Sequence, residues 1–246
     1  MSKEKVYIIG AGPGDPELIT IKALKILKEA DIILYDRLVN KEILKLAPKS
    51  AELINVGKEY GKQNIIQEKI FNMFLKYQNE NKKIIRLKGG DPFIFGRGAE
   101  ELEFLIKNNI EFEIIPGISS ALSIPIQFNI PLTHRKYSSS IGIVTGHEDP
   151  AKEKKKVNFE LLAKAVDTLV ILMGLKNLSD IVKSLLEGGL PKKTPISIIE
   201  HGYFPDQKFL TATLETVINK TKDQEFNPPV LIIIGEVINL LANYRF

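Results

Sequence analysis

The stretch LKGGDPFIFGRGAEE, residues 87–101, combines residue types that can bind a polar or anionic ligand. Its two adjacent glycines, Gly89 and Gly90, let a ligand approach the backbone closely, and the Asp91 carboxylate can accept hydrogen bonds from hydroxyls or an ammonium. A plain turn built from Gly-Asp-Pro would use the same residues. Arg97 stands between two more glycines, which favours a guanidinium presented on a turn to bind a carboxylate or phosphate.

An earlier glycine-rich loop, GAGPGDPELIT at residues 10–20, directly follows the apolar run VYIIG. The fingerprint of a dinucleotide site is G-x-G-x-x-G, and here the third glycine comes one place too early. Pro13 also removes a backbone donor from the loop. Asp36, after the next apolar run, stands about where such a fold places its ribose-binding acid. The glycine spacing and Pro13 disfavour a dinucleotide site, but the position of Asp36 keeps that alternative open.

A third motif, PLTHR at residues 131–135, is followed by VTGH at residues 144–147. No acidic residue falls at a usual metal-ligand spacing from His134 or His147, so we expect no metal site. Arg135 could hold a second anionic group, or it could be a surface arginine without a partner. The local sequence favours neither alternative.

Short β-rich runs alternate with helical patterns along the chain, which predicts an α/β fold with largely parallel sheets. Apolar residues at helical spacing predict one helix around residues 23–30 and another around residues 66–77. A crossing point at Ile115-Pro116-Gly117 divides the chain into an N-terminal α/β domain, residues 1–115, and a C-terminal α/β domain, residues 116–246. We expect a doubly wound sheet in the first domain and a mixed sheet in the second, with FLTATLETV as an extra strand. The other strand runs are VYIIG, DIILYD, ELINVG, KIIRLKGG, FEIIPG, SIGIVTG, TLVILMG, PISIIE and VLIIIGEV.

The composition argues against several classes of protein. The 246 residues contain no cysteine, which rules out a disulfide framework, a thiolate nucleophile and a Cys-ligated metal. The N-terminus does not read as a secretory signal and the longest apolar run, Val230 to Ile234, is too short to span a bilayer, so we expect a cytoplasmic protein without a membrane partner. The net charge of +4 suits an anionic partner. The basic run Lys152 to Lys156 lacks interleaved aromatics and is typical of a solvated loop, so we expect no nucleic-acid partner.

Taken together, the motifs resemble those of the tetrapyrrole methylase family, in the family's order and over essentially the whole chain. The most specific are GGDPFIFGRG and PLTHR, and GAGPGDPELIT, DRLV, IPGISSA, VTGH and PPVLIIIGEV accompany them. The resemblance implies two α/β domains with the active site in the cleft between them, and a homodimer. It also implies S-adenosylmethionine as methyl donor and S-adenosylhomocysteine as product. The N-terminal domain would then face the tetrapyrrole, and the C-terminal domain would complete the cofactor site.

The resemblance also implies roles for individual residues. Asp36 and Lys58 match positions proposed in the family as proton acceptor and proton donor. Arg97, which we place with them among the catalytic residues, matches a position that faces the substrate, as do Glu100 and Arg135. The residues that match cofactor-binding positions are Pro13, Gly89, Gly90, Asp91, Ile94, Ser119, Ser120, Met173, Gly202 and Pro229.

The implied reaction is two successive methyl transfers to pyrrole carbons of uroporphyrinogen III, giving precorrin-2 through precorrin-1. The main alternative is a sister enzyme that methylates a later or cobalt-containing precorrin and differs only in pocket detail. Ser119 and Ser120 depart from the threonine and alanine common in the family, and Pro125 and Asn129 replace smaller residues, which leaves the pocket shape open. A diphthine-type protein methylase and an RNA-binding module are less favoured.

Overall fold

The computed structural model describes residues 4–57, 63–148 and 156–243, and of residues 63–66 and 241–243 it describes the backbone alone. The chain divides into two compact units, Met1–Ser120 and Ala121–Phe246. In the described part of the chain, every helix is too short or too polar to cross a membrane.

The first unit is built on a sheet of five parallel strands in the order β3-β2-β4-β1-β5. The strands are β1 Val6–Gly10, β2 Ile32–Tyr35, β3 Glu52–Asn55, β4 Ile84–Lys88 and β5 Phe112–Ile115. The helices are α1 Ile21–Leu27, α2 Lys41–Leu44, α3 Gln63–Asn79 and α4 Gly98–Lys107. The predicted helices correspond to α1 and α3, and the prediction of a parallel first sheet is confirmed.

Apolar side chains cover both faces of this sheet, because alternate residues of each strand point to opposite sides. On one face, Ile9 and Ile33 pack with Leu27 of α1 and Ile43 of α2. The opposite face packs against α3 and α4, and its fully buried residues include Ile8, Leu34, Phe74 and Leu105. Helices on both faces of a parallel sheet make this unit doubly wound.

Three glycines bring backbone segments of the first unit into direct contact at the carboxyl edge of the sheet. A Cβ built on Gly117 would lie 2.2 Å from the Gly90 carbonyl oxygen, and one built on Gly10 would lie 2.5 Å from the Gly117 nitrogen. Gly12 and Gly90 exchange backbone hydrogen bonds of 3.2 and 2.7 Å across the same edge. No side chain larger than hydrogen fits between these segments, so the glycines set how closely the loops after β1, β4 and β5 approach.

The second unit holds a mixed five-stranded sheet in the order β6-β7-β10-β8-β9, with only β6 and β7 parallel. The strand predicted from FLTATLETV is β9, so the prediction of a mixed sheet is confirmed. The strands are β6 Ile141–Thr145, β7 Thr168–Leu172, β8 Pro195–Glu200, β9 Lys208–Thr213 and β10 Val230–Ile234. The helices are α5 Ser120–Gln127, α6 Phe159–Ala165, α7 Leu178–Glu187 and α8 Val217–Gln224.

Helices also cover both faces of the second sheet. Leu185 of α7 and Val217 of α8 pack on one face against Ile196 and Ile232. On the other face, Ile124 of α5 belongs to a buried cluster with strand residues of β7, β8 and β10.

We predict that Gly117→Ala lowers the free energy of unfolding by about 1–3 kcal/mol, because the new methyl group must displace backbone atoms of Gly90 and Gly10. Urea unfolding measures the change. The matched control is Gly89→Ala, whose Cβ would have its nearest neighbour in Leu38, at an ordinary 3.5 Å. Equal stability of the two variants would contradict the close packing described here.

Candidate active site

The carboxyl ends of the parallel strands lie at one edge of the first sheet, where ligand sites of open α/β sheets form. Pro13 lies in the loop after β1, Asp36 directly follows β2, and Gly89, Gly90 and Asp91 directly follow β4. The structure therefore brings these predicted site residues of the first unit to the same edge.

Asp91 ties two loops of this edge together. One carboxylate oxygen accepts the backbone N–H of Phe93 at 2.9 Å, and the other accepts that of Gly117 at 3.2 Å. Each oxygen keeps a second lone pair that can accept from a ligand hydroxyl or ammonium. Ile94 lies in the same loop with 42 % of its surface exposed, so it can contact a bound molecule.

Arg97 and Glu100 form an exposed ion pair where α4 begins. Arg97 has a positive φ of 58° and precedes the first helical residue, Gly98. Its Nε donates to both Glu100 carboxylate oxygens at 2.8 Å, and its Nη2 also contacts Glu100. Because Glu100 partly compensates the Arg97 charge, an incoming carboxylate has to compete with Glu100 for this guanidinium.

Asp36 belongs to a cluster of four charged side chains. Leu34 of β2 pairs with Arg86 of β4, and the alternation of side chains along each strand places Asp36, Arg86 and Lys88 on the α4 face of the sheet. Arg86 Nη2 contacts Asp36 Oδ1, and Arg86 Nε donates to Glu101 Oε1 at 3.0 Å. Lys88 Nζ lies 2.9 Å from Glu101 Oε1 and 3.9 Å from Asp36 Oδ2.

The two cations of this cluster respond differently to their surroundings. Burial disfavours the charge of Arg86, but the neighbouring Asp36 and Glu101 carboxylates outweigh it and raise the pKa of Arg86. Burial, together with the adjacent Arg86 charge, lowers the pKa of Lys88 although Glu101 and Asp36 oppose the shift. The surroundings therefore favour the charged form of Arg86 and disfavour that of Lys88.

Sequence reasoning missed Arg86, Lys88 and Glu101. The available signal was the run KIIRLK, in which basic residues occupy alternate positions of a strand that is otherwise apolar. Charges inside a buried strand require partners, and the partner carboxylates lie directly after β2 and on α4.

The second unit gathers another group of predicted residues at one edge of its sheet. Met173 follows β7, Gly202 follows β8, and Pro229 precedes β10, which runs antiparallel to both strands. The His201 N–H donates to the Pro229 carbonyl at 3.0 Å. Met173 is half-exposed, with a positive φ of 56°. Gly202 is buried, and a Cβ there would lie about 3 Å from the Ile124 side chain of α5.

The remaining predicted residues are Ser119, Ser120, Lys58 and Arg135, and backbone atoms of the two serines lie 3.8–3.9 Å from a Cβ built on Gly90, at the edge described above. Ser119 is buried and Ser120 begins α5, whereas Lys58 lies outside the described residues. Arg135 is exposed in the turn that precedes β6, where Ser138 contacts Thr168 at the start of β7. This is the opposite edge of the second sheet from Met173, and the assignment of Arg135 to the substrate stays a prediction.

Comparisons with known proteins agree in assigning the family. The family description "Tetrapyrrole (Corrin/Porphyrin) Methylases" matches residues 5–218. A uroporphyrinogen-III C-methyltransferase from Methanocaldococcus jannaschii is 49 % identical over 238 residues, which cover 96 % of this chain and 98 % of that protein. The chain belongs to the tetrapyrrole methylase family.

Solved structures of other tetrapyrrole methylases have the same fold. The uroporphyrin-III C-methyltransferase from Thermus thermophilus, in complex with S-adenosylhomocysteine, matches with a TM-score of 0.81 at 39 % identity, over 96 % of this chain and 99 % of that chain. A cobalt precorrin-4 methyltransferase of cobalamin biosynthesis matches with a TM-score of 0.84 at 27 % identity, over 95 % of each chain. The predicted two-domain α/β fold of this family is therefore confirmed, whereas the predicted roles of individual residues stay predictions.

We predict that Asp91→Ala increases amide hydrogen exchange in residues 92–97 and 116–118, because it removes the acceptor of the Phe93 and Gly117 amides. Exchange followed by mass spectrometry measures the effect. The control is Asp15→Ala, which removes an acceptor of the Glu17 amide in another loop. Unchanged exchange around Phe93 and Gly117 in the Asp91 variant would show that this carboxylate does not join the two loops.

Proposed function

We propose that the chain is an S-adenosylmethionine-dependent C-methyltransferase that methylates uroporphyrinogen III twice, giving precorrin-2 through precorrin-1. The observation that supports this most strongly is the 49 % identity, over nearly the full length of both chains, to a uroporphyrinogen-III C-methyltransferase. The cobalt precorrin-4 methyltransferase shares the fold at only 27 % identity, so a later precorrin is the less favoured substrate.

The loop after β4 suits the proposed cofactor. A Cβ built on Gly90 would meet no atom closer than 3.8 Å, so the backbone is open to a ligand, and Asp91 keeps lone pairs for hydroxyls or an ammonium. The cofactor's amino-acid end and ribose would lie against Gly89, Gly90, Asp91 and Ile94. The other residues proposed to contact it are Pro13, Ser119, Ser120, Met173, Gly202 and Pro229.

In the proposed reaction the protein mainly has to align the substrate with the methyl donor and remove a proton. S-adenosylmethionine supplies an electrophilic methyl group on its sulfonium. The site has to hold an electron-rich pyrrole carbon in line with that methyl group and keep water away. Methylation leaves the ring positively charged until it loses a proton, and a carboxylate at the sheet edge can stabilise the charge and accept that proton. Asp36 has this position, and Arg86 orients it by binding Oδ1, while Oδ2 makes a longer contact of 3.9 Å with Lys88 Nζ and can still accept a proton.

The substrate is a polycarboxylate, which suits the net charge of +4 and the partly exposed Arg97. We propose that Arg97 and Glu100 face the tetrapyrrole and that a substrate carboxylate replaces Glu100 on the guanidinium. Lys58 remains a proposed proton donor from the family resemblance alone.

The resemblance also supports finer proposals. We infer a homodimer in the cytoplasm, with neither nucleic acid nor membrane as a partner. Residues 1–115 would face the tetrapyrrole, and residues 116–246 would complete the cofactor site. Light scattering of the purified chain tests the dimer, and a monomeric mass would refute it.

The function is tested by anaerobic incubation with uroporphyrinogen III and methyl-labelled S-adenosylmethionine, with label and mass followed in the tetrapyrrole. We expect two methyl groups per macrocycle. Cofactor binding without label transfer would favour the later precorrin as substrate, and absence of cofactor binding would refute the proposal.

We predict that Arg97→Ala raises the KM for uroporphyrinogen III about tenfold or more, since a charge-assisted hydrogen bond is lost. The affinity for S-adenosylhomocysteine, measured by calorimetry, should stay unchanged. Glu100→Gln should lower the same KM, because it removes the competing carboxylate. As a control, Lys45→Ala breaks an exposed ion pair of the same i,i+3 spacing with Glu42. Equal loss of cofactor and substrate binding in the Arg97 variant would contradict its assignment to the substrate.

A further inference from the structure

Two charged groups of the Asp36 cluster, Lys88 and Glu101, have no role in the reaction described above, and Arg86 acts in it only through Asp36. Arg86, Lys88 and Glu101 have exposures of 2 %, 1 % and 0 %, although burying charged groups is costly unless they are paired. Glu101 is the least expected of them, because its Oε2 is buried without a hydrogen-bond partner among the described residues. Because one of the two Glu101 oxygens has no partner among the described residues, hydrogen bonding alone does not explain why this position holds a carboxylate.

Glu101 holds the guanidinium that binds Asp36. Arg86 donates from Nε to Glu101 and from Nη1 to the backbone carbonyls of Leu34 and Leu87, at 3.3 and 3.1 Å. These contacts fix the plane of the guanidinium from one side, and Nη2 contacts Asp36 on the other. The orientation of the Asp36 carboxylate thus depends on a residue of α4 that lies outside the reacting edge.

Glu101 also balances the charge of the cluster. Arg86 and Lys88 carry two positive charges, and Asp36 and Glu101 carry two negative charges. Without the Glu101 charge, the cluster would have a net positive charge next to Asp36. An excess positive charge in a site shielded from water opposes the positive charge that develops on the methylated ring.

We propose that Glu101 is a positioning residue for proton removal: it holds Arg86 against Asp36, and it offsets the positive charge that Lys88 adds beside the reacting pyrrole. This inference rests on the proposed function, in which Asp36 accepts the proton. Glu101 itself does not touch the substrate.

The proposal makes a specific prediction about pH. The described groups that face Lys88 are Arg86 on its own strand, Asp36 after β2 and Glu101 on α4, while its partner on β1 is the uncharged Gly10. Burial and Arg86 lower the pKa of Lys88, and Glu101 opposes that shift. In Glu101→Gln the pKa of Lys88 falls further, and loss of the Lys88 proton as pH rises makes the cluster neutral again.

The experiment compares the full-length wild type with Glu101→Gln, Lys88→Met and the double variant, in anaerobic methyl transfer between pH 6 and pH 9. We expect Glu101→Gln to lower kcat about 10- to 100-fold at the lower pH, with both KM values within about twofold, and kcat to recover as pH rises. The double variant removes one charge of each sign and should regain kcat to within a few-fold of the wild type, without the pH dependence. Glu29→Gln breaks the exposed pair with Lys83 and serves as control.

A double variant with a kcat no higher than that of Glu101→Gln would overturn the proposal, as would a kcat of Glu101→Gln that does not rise with pH. Either result would indicate a purely structural role for Glu101. Urea unfolding supplies a readout that does not depend on turnover. Charge balance predicts that the double variant is more stable than Glu101→Gln, and the reverse order would refute the inference.

Failure of the proposed function has a different signature. A wild type that transfers no methyl group to uroporphyrinogen III refutes the function, while the order of the unfolding energies still decides the inference about charge balance.

Discussion

The backbone contact between Gly10, Gly90 and Gly117 is the constraint on which the geometry of the first unit depends. With no side chain between them, the loops after β1, β4 and β5 approach to within hydrogen-bonding distance, and Asp91 joins the last two through the Gly117 amide. The loop at Gly89 and Gly90 is thereby held in place while its own backbone stays open to a ligand. A rigid frame with an open backbone segment is what a site needs to orient a small molecule.

The same sheet also positions the charged side chains of the Asp36 cluster at that edge. Strand pairing sets Arg86 beside Leu34, and the next residue on the same face is Asp36, directly after β2. The carboxylate therefore stands at the end of the sheet and contacts a guanidinium that is itself buried under α4. A carboxylate oriented in this way needs little reorganisation when positive charge develops near it. The fold, the glycine contact and the buried charges thus all position groups at the edge where methyl transfer is proposed.

Much of the fold was predictable because its signals are local. Each of the ten strands corresponds to an apolar or β-branched run, and the helical spacing of apolar residues located α1 and α3. The buried charge cluster was not predictable, since its pairing joins residues from β2, β4 and α4 that are far apart in the sequence. The position of Arg135 was not predictable either: its motif gave no sign that it lies in the turn before β6, at the sheet edge opposite Met173. The local sequence indicates where helices and strands form, whereas contacts across the sheet depend on the register between strands.

The most direct test of the proposed site is a crystal structure of the full chain with S-adenosylhomocysteine. Our account predicts that the ligand contacts the backbone of Gly89 and Gly90 and the carboxylate of Asp91, with its sulfur facing the same edge as Asp36. A ligand bound away from the loop after β4 would contradict the assignment of this edge as the site of methyl transfer.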